Sequence, residues 1–506
     1  MNMFKNPVIP GFYPDPSVCR VGKDYYLVTS SFEYFPGVPL FHSRDLVNWR
    51  QIGHCLTRES QLPLQGAKPS GGIYAPTIRH HDGRFYMVTT NTTHGGNFFV
   101  WTDDIHGEWS EPIWLDQPGI DPSLLFDNDG AVYLTSNGCT QCVIDIETGK
   151  RVTDHRKIWD GTGGGYLEAP HLYHIGDWYY LMVAEGGTGR GHMVTLARSK
   201  SPWGSFEPCP HNPILSNRGC SGNAVQAVGH GDLIQAHDGN WWMAFLAIRE
   251  KPGMFPRVHN LGRETFLAPV EWTENGWPIV NPPRAESPPD HQPGTVSIVT
   301  GADCLSPHPW PDEPTRDDFD GPLGKQWVSL RNPAPETRSL TDSPGYLTLR
   351  GQDQTLDDID SRTFMGRRQQ HDTCTVAALV EFNPESDDDE AGLIVYMNAL
   401  HHYEIGVTSR DGSRVAVVRR RIGGMRDEYV GPTISGDIVL EVHAEPDLYT
   451  FGIRRADGTF ETILSGETRY LSTEVAGGFT GVMFAMYSVG EATAKFDWFD
   501  YELVEG

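Results

Sequence analysis

The sequence predicts an all-β protein, a five-bladed β-propeller followed by a β-sandwich. Three observations carry that expectation. One short phrase recurs through roughly the first 280 residues: an acid, a proline, a Gly- or Asp-containing turn, then paired aromatics and an apolar strand. No stretch of those residues sustains a helical period. Beyond a proline-rich interruption, short strand-like runs alternate with turns, the spacing of a sandwich.

The first copy opens at Asp15-Pro-Ser-Val18 and runs to Val28. It returns at Tyr74-Ala-Pro-Thr77, at Asp121-Pro-Ser-Leu124 and at Glu168-Ala-Pro-His171, with a looser fifth at His230-Gly-Asp-Leu233. The copies start roughly 45 to 60 residues apart, the period of one four-stranded blade. Asp-Gly at 82–83, 129–130 and 238–239 supplies the positive-φ chemistry of a tight hairpin. Within the first blade, Ser30–Gly37 reads as a loop and Val38–Ser43 as a strand. Polar turns ending in Trp or Phe, at 43–49, 102–109 and 199–206, precede the outer strands. Leu261–Leu267 and Val270–Val280 complete the last blade. Stacked radially, five such units bring the start of every first strand to one end of a central channel. Asp15, Asp121, Glu168 and His230 then ring one mouth.

Residues 1–285 are accordingly expected to form the propeller. Proline at the density found in 286–314 does not sit in central strands, so that segment is expected to be an extended, strapped linker. Residues 315–506 are expected to form the sandwich, with strands at 346–350, 374–382, 392–397, 403–407, 414–420, 438–444, 448–454 and 496–503. Ser386-Asp-Asp-Asp-Glu390 reads as a solvated loop, with a calcium site as its alternative.

At 506 residues, two domains are the default. A formal net charge of −26 argues against nucleic acid and anionic membrane surfaces as partners and favours a neutral or cationic ligand. No run approaches the roughly 20 apolar residues of a membrane span. The N-terminal Met-Asn-Met-Phe-Lys-Asn-Pro has neither an apolar core nor a cleavage site, so a cytoplasmic protein is expected. The eight cysteines are scattered; Cys139-Thr-Gln-Cys142 is the one close pair, and as a zinc half-site it lacks a second pair, so reduced strand cysteines are the expectation.

A carboxylate at a buried strand entrance needs a partner or a purpose, because desolvation is costly for the charged form. Any single Asp-Pro-Ser is adequately explained as a turn. Several sharing one end of the fold suit glycoside hydrolysis. An inverting glycosidase needs a base that activates water and a protonated acid that assists the leaving group, their carboxyls roughly 6.5–9.5 Å apart. A third carboxylate nearby raises the acid's pKa.

The segments Asn6–Ser17, Ser30–Val38, His42–Trp49, Gly71–Pro76, Gly119–Leu124, Glu168–Tyr173 and Leu261–Phe266, in that order, resemble glycoside hydrolase family 43, in particular its β-xylosidase and α-L-arabinofuranosidase group with a C-terminal concanavalin-like β-sandwich. The resemblance spans nearly the whole chain. It implies inversion at the anomeric carbon, with Asp15 as general base, Glu168 as general acid and Asp121 as the residue that tunes and orients the acid. It further implies that Arg263 reaches the non-reducing-end sugar, against a surface ion pair with Glu264 or Glu271 as the plain alternative. Phe32 is implied as an aromatic wall of that subsite. Tyr74 stands where many relatives are expected to carry Trp, which bears on substrate choice. His230 matches a channel histidine that binds water or calcium in some relatives; a hydrogen-bonded core histidine is the alternative, and no cofactor is otherwise required. The acid of the fourth repeat stands one residue earlier relative to its proline than in the first and third, which on a regular strand turns it to the other face.

The resemblance also implies that the sandwich leans over the propeller mouth, a loop completing a blind pocket; an independent polysaccharide-binding module is the other reading. The expected function is exo-acting β-D-xylosidase on xylooligosaccharides. An α-L-arabinofuranosidase acting on arabinoxylo-oligosaccharides is the nearest rival, a non-catalytic sugar-binding propeller a more distant one. Self-association into a homo-oligomer is compatible with such a lateral sandwich.

Overall fold

The structure is a computed structural model describing residues 2–284, 287, 291–360 and 363–504. Five antiparallel four-stranded sheets form the N-terminal part, each a simple meander in chain order. Blade I comprises Ser17–Val21, Asp24–Val28, Gly37–Ser43 and Arg50–Leu56; blade II comprises Thr77–His81, Arg84–Asn91, Gly96–Thr102 and Ile113–Trp114. Blade III comprises Ser123–Phe126, Val132–Ser136, Thr140–Ile144 and Arg156–Lys157. Blade IV comprises Glu168–Ile175, Trp178–Glu185, Met193–Ser199 and Glu207–Pro208; blade V comprises Val225–Gln235, Trp241–Arg249, Glu264–Trp272 and Pro278–Val280. Each recurring phrase is the first hairpin of one blade. In blade II the hairpin turns on Asp82 (φ 48°) and Gly83 (φ 81°), the paired left-handed residues that match strand twist. The last long strand of blade V runs unbroken through Pro269, not as the two pieces expected from the sequence.

First strands meet their neighbours around the ring, and that of blade I touches those of blades II and V. No named strand is shared between first and last blades, so closure falls to side chains and to the segment before blade I, whose Ile9 bridges Thr265 of blade V. Buried Asp232 of blade V accepts from the Ser17 hydroxyl of blade I (2.7 Å), from the Arg79 guanidinium of blade II (2.9 Å) and from the Tyr173 hydroxyl of blade IV (2.7 Å). His171 of blade IV lies 3.0 Å from Arg79 and 2.9 Å from Ser123 Oγ of blade III. One polar network thus ties all the blades along the channel. Arg79 holds the Asp232 carboxyl far below its ordinary range against the opposing effect of burial.

The proline-rich segment departs from a plain linker. Val299–Ala302 pairs antiparallel with Asn2–Lys5, and the Asn6 side chain donates to Thr300 Oγ1 (3.1 Å). The strap is therefore stitched to the chain's own start, which also lies along blade V through Val8 N to Thr265 O (2.9 Å).

The C-terminal part is a sandwich. One sheet orders Arg338–Ser339, Leu347–Arg350, Thr493–Leu503, Cys374–Glu381, Ile438–Ala444, Leu448–Arg454 and Phe460–Glu467, with Arg316–Asp317 beside Thr493–Leu503. The other orders Phe364–Arg368, Met483–Val489, Glu390–Asn398, His401–Arg410, Ser413–Ile422 and Met425–Thr433. Inward-facing apolar residues of both sheets, among them Val376, Leu393, Ile405, Leu440 and Phe451, make its core. Four of the longer strands escaped the sequence reading, 364–368, 425–433, 460–467 and 483–489, as did the two-residue strands at 316–317, 329–330 and 338–339. In the loop at 386–390, Asp389 accepts backbone N–H groups of Glu385 and Ser386 on one oxygen and of Glu491 and Ala492 on the other. It is a loop clasp whose lone pairs are already taken, which disposes of the calcium alternative there.

The outer face of the second sheet packs on the propeller. Phe364, Ile394, Tyr396, Met483 and Ala485 share one buried cluster with Phe12, Phe32 and Tyr34. Ser329–Leu330 adds a two-stranded ladder to Tyr34–Phe35. Backbone meets backbone where Val482 N donates to Asn260 O (2.9 Å). That approach requires glycine on both sides: a Cβ on Gly481 would lie 2.4 Å from Leu261 O, and one on Gly262 3.0 Å from Gly481 Cα. The sandwich leans on the mouth, as expected, and is no free module. All eight cysteines are unpaired.

Candidate active site

Each candidate carboxylate stands where a first strand begins, and local backbone aims it. Asp15 (φ 58°) and Asp121 (φ 54°) precede Pro16 and Pro122 in the left-handed region, a conformation that Asp tolerates at a cost. In blade IV the residue before proline is Ala169, and it takes the left-handed turn instead (φ 49°). The pairing register breaks between Glu168 and His171. The irregular backbone therefore cancels the one-residue offset that a regular strand would have turned away. Asp15, Asp121 and Glu168 line one cavity of about 70 Å³ together with Phe32, Tyr74, His230 and Arg263. Every residue singled out in the sequence is brought there.

The three carboxyls have different surroundings. Asp15 is buried and accepts from Arg263 Nη1 (2.8 Å) and Ser30 Oγ (2.5 Å), with His230 Nδ1 at 3.5 Å. Burial raises its pKa, but Arg263, His230 and Ser30 outweigh this and hold the carboxyl below its ordinary value. Asp121 is buried and accepts the Ala169 N–H (3.1 Å); burial and the charges of Glu168 and Asp15 push it well up. Glu168 is raised by burial and by Asp15, with Arg263 opposing. The site thus holds one carboxyl pushed down and two pushed up. Such a division between base and acid is set by environment alone.

Arg263 makes neither ion pair weighed in the sequence: Glu264 is taken by Arg249 (2.7 Å) and Glu271 by Arg284 (2.8 Å). Its guanidinium lies 2.8 Å from Asp15 Oδ1, with Thr188 Oγ1 at 3.2 Å and Phe479 O at 3.4 Å, beside the rings of Phe32 and Phe479. Phe32 and Tyr74 form an aromatic corner, centroids 5.3 Å apart.

Sequence reasoning did not single out five lining residues: Ala75, Ile120, Thr188, His192 and Phe479. His192, buried with its ring held at Ala227 O (3.0 Å), is pushed down to about 4, chiefly by burial, and is neutral near pH 7. Phe479 comes from the sandwich and lies 6.1 Å from both Phe32 and Tyr74. Its N–H donates to Ser70 Oγ (2.8 Å), and the Ser70 N–H donates to buried Glu33 (3.0 Å). The C-terminal part thereby supplies a wall of the propeller's own cavity.

Calcium at His230 does not fit these residues. The ring is buried, and burial favours its neutral form, the one able to ligate a metal, but the oxygen ligands it would need are not free. The nearest carboxylates are both engaged, Asp15 by Arg263 and Asp232 by Arg79. A cation would have to displace two guanidinium groups. Among the described residues, no group of three or more His, Cys, Asp or Glu is placed to hold a metal ion.

Comparison with known proteins places this cavity in a family. The model of Glycosyl hydrolases family 43 matches residues 4–278, and that of the Beta xylosidase C-terminal Concanavalin A-like domain matches 316–502. The chain belongs to glycoside hydrolase family 43. It is 44% identical, over 99% of its own length and 95% of the relative's, to the Non-reducing end alpha-L-arabinofuranosidase BoGH43B of Bacteroides ovatus. It is 37% identical to a Xylosidase/arabinosidase of Butyrivibrio fibrisolvens, over 99% of this chain and 98% of that one. The solved Bacteroides ovatus Xyloglucan PUL GH43B superposes with a TM-score of 0.93 at 43% identity, covering 99% of this chain and 100% of the other. The family-43 chain is a glycoside hydrolase of the xylosidase and arabinofuranosidase group.

Proposed function

We propose that this family-43 hydrolase removes one pentose at a time from the non-reducing end of short oligosaccharides, with inversion, and that xylose from β-1,4-xylooligosaccharides is its first substrate. The observation that carries the mechanism is the split among the three carboxyls lining one cavity: Asp15, bonded by Arg263, is held below its ordinary value while Glu168 and Asp121 are raised above theirs. Asp15 takes a proton from water as that water forms the bond to the anomeric carbon. Glu168 gives its proton to the glycosidic oxygen as the carbon–oxygen bond breaks. Asp121 accepts the N–H of Ala169, the residue that follows Glu168, and so fixes the backbone that aims that acid. The cavity is walled by Phe32, Tyr74 and Phe479, and the blade network crosses the channel, which favours a chain end over a polymer passing through. No step in this mechanism passes through a metal.

A second reading, α-L-arabinofuranosidase, is favoured by the 44% relative that bears that name. Nitrophenyl β-D-xylopyranoside and α-L-arabinofuranoside, compared by kcat/KM and followed by xylobiose and an arabinosylated xylooligosaccharide, rank the two. Turnover of none of these would overturn the proposal.

Two further results are expected. Arg263 is the largest influence holding Asp15 down. Arg263→Ala should move the acid limb of the kcat/KM profile to higher pH, because the base is then protonated sooner as pH falls. It should also cost about 10- to 100-fold in kcat/KM, the worth of a charge-assisted hydrogen bond to the base and the sugar. An unmoved acid limb would separate that limb from Asp15. Phe479→Ala removes an aromatic wall and should raise KM by about 10-fold with a smaller change in kcat, read by steady-state kinetics.

A further inference from the structure

Tyr166 is an exposed aromatic two residues before the candidate acid, on a backbone held from both sides. Its ring is 74% exposed and its backbone sits in the left-handed region at φ 51°, a strained state for a bulky residue. The chain on both sides is fixed. Gly165 O accepts from Gly186 N (2.9 Å), and Leu167 O accepts from Gly138 N (2.7 Å). The preceding turn hangs on buried Glu185, whose carboxylate accepts from Thr162 N (2.9 Å), Gly164 N (2.8 Å), and the hydroxyls of Thr162 (3.1 Å) and Thr195 (2.6 Å). A buried carboxylate with four donors is an expensive way to fix a loop that ends in a solvent-facing ring. Structural economy alone would put a glycine or a polar residue there.

The position of the ring gives it a use. Tyr166 lies two residues before Glu168, and its ring comes within 3.4 Å of where a Cβ on Gly187 would be; Gly187 adjoins the cavity-lining Thr188. The cavity is walled by Phe32, Tyr74 and Phe479, and Tyr166 is not among its lining residues. The acid protonates the oxygen that departs, and a ring two residues before it in the chain, outside the cavity that takes the pentose, is placed to meet the departing group.

We infer that Tyr166 is a specificity-determining platform on which the first sugar of the leaving group stacks its C–H face. This rests on the hydrolase reading above and deepens it: the enzyme favours a pyranose ring as leaving group over a small alcohol. Tyrosine suits the task, since it presents a rigid apolar face with a polar tip and loses little side-chain freedom on binding.

The test compares, for whichever pentose the wild type takes, a disaccharide with the corresponding methyl glycoside. Both leaving alcohols need the proton of Glu168, and only the disaccharide has a ring to stack. Tyr166→Ala is expected to lower kcat/KM on the disaccharide by about tenfold and to leave the methyl glycoside within about twofold, with Tyr166→Trp and Tyr166→Phe keeping the disaccharide preference. Equal losses on both substrates would make Tyr166 a support for Glu168 and overturn the inference. No loss on either would overturn it as well. A wild type inert on both would instead bring down the hydrolase reading, and this one with it.

Discussion

Asp15→Ala should abolish turnover of every substrate alike, lowering kcat by about 10³-fold or more, the upper part of what a positioned general base contributes. Leaving-group ability should not matter, because the missing event is on the water side of the reaction. The variant leaves the Arg263 guanidinium, which bonds Asp15 at 2.8 Å, beside a vacated space. A small anion is drawn to such a place. Azide supplied to the variant with an activated nitrophenyl glycoside should therefore restore part of the rate, its nitrogen bonding to the anomeric carbon as nitrophenolate leaves. The glycosyl azide formed should carry the inverted configuration. A retained azide product would assign the enzyme a double displacement and remove Asp15 from the role of base. Asp15→Asn, which keeps the side-chain shape, separates loss of the base from loss of folding when its circular dichroism matches the wild type.

Glu168→Gln should instead show strong dependence on the leaving group. On xylobiose or an arabinosyl oligosaccharide, whose alkoxide leaves poorly, kcat should fall by about 10³-fold; on a dinitrophenyl glycoside, within about tenfold. The pH profile supplies a second readout. Burial and the Asp15 charge raise the Glu168 pKa, so in the wild type the acid is competent at low pH and fails as pH rises through that raised value. The alkaline limb should disappear in Glu168→Gln on the dinitrophenyl substrate, while the acid limb set by Asp15 remains. Equal loss on both substrates would place Glu168 outside proton donation.

Much of this was legible in the chain because a repeat carries positional information. Acid, proline and hairpin recur together, so Asp15 and Asp121 had to share an end of the propeller before any distance was known. Glu168 was the exception: period-2 alternation faces it the wrong way, and only the left-handed Ala169 and the broken register correct this. Sequence patterns do not announce a bulge. Arg263 could be placed but its partner could not, since two nearer acids were open to it in sequence and both prove to be held by other arginines. Phe479 had no signal. It stands in a glycine-rich loop more than 200 residues from Arg263, and its neighbours are settled by packing between domains. The strand at 425–433 was hidden differently: it is largely exposed and charged, so it lacks the apolar alternation by which strands are read.

The polar network joining Ser17, Arg79, Ser123, His171, Tyr173 and Asp232 has a consequence for traffic. By crossing the axis with hydrogen bonds around the Arg79–Asp232 ion pair it obstructs passage along the channel and leaves the mouth as the pocket's way in and out. The shortened oligosaccharide, lying nearest the exit, must depart before the freed pentose behind it can follow. Water for the next cycle has to come in by the same route. Such a cul-de-sac makes the liberated monosaccharide a natural competitor for its own site, so the enzyme should slow as its product accumulates, and removal of that sugar becomes part of how fast the enzyme works.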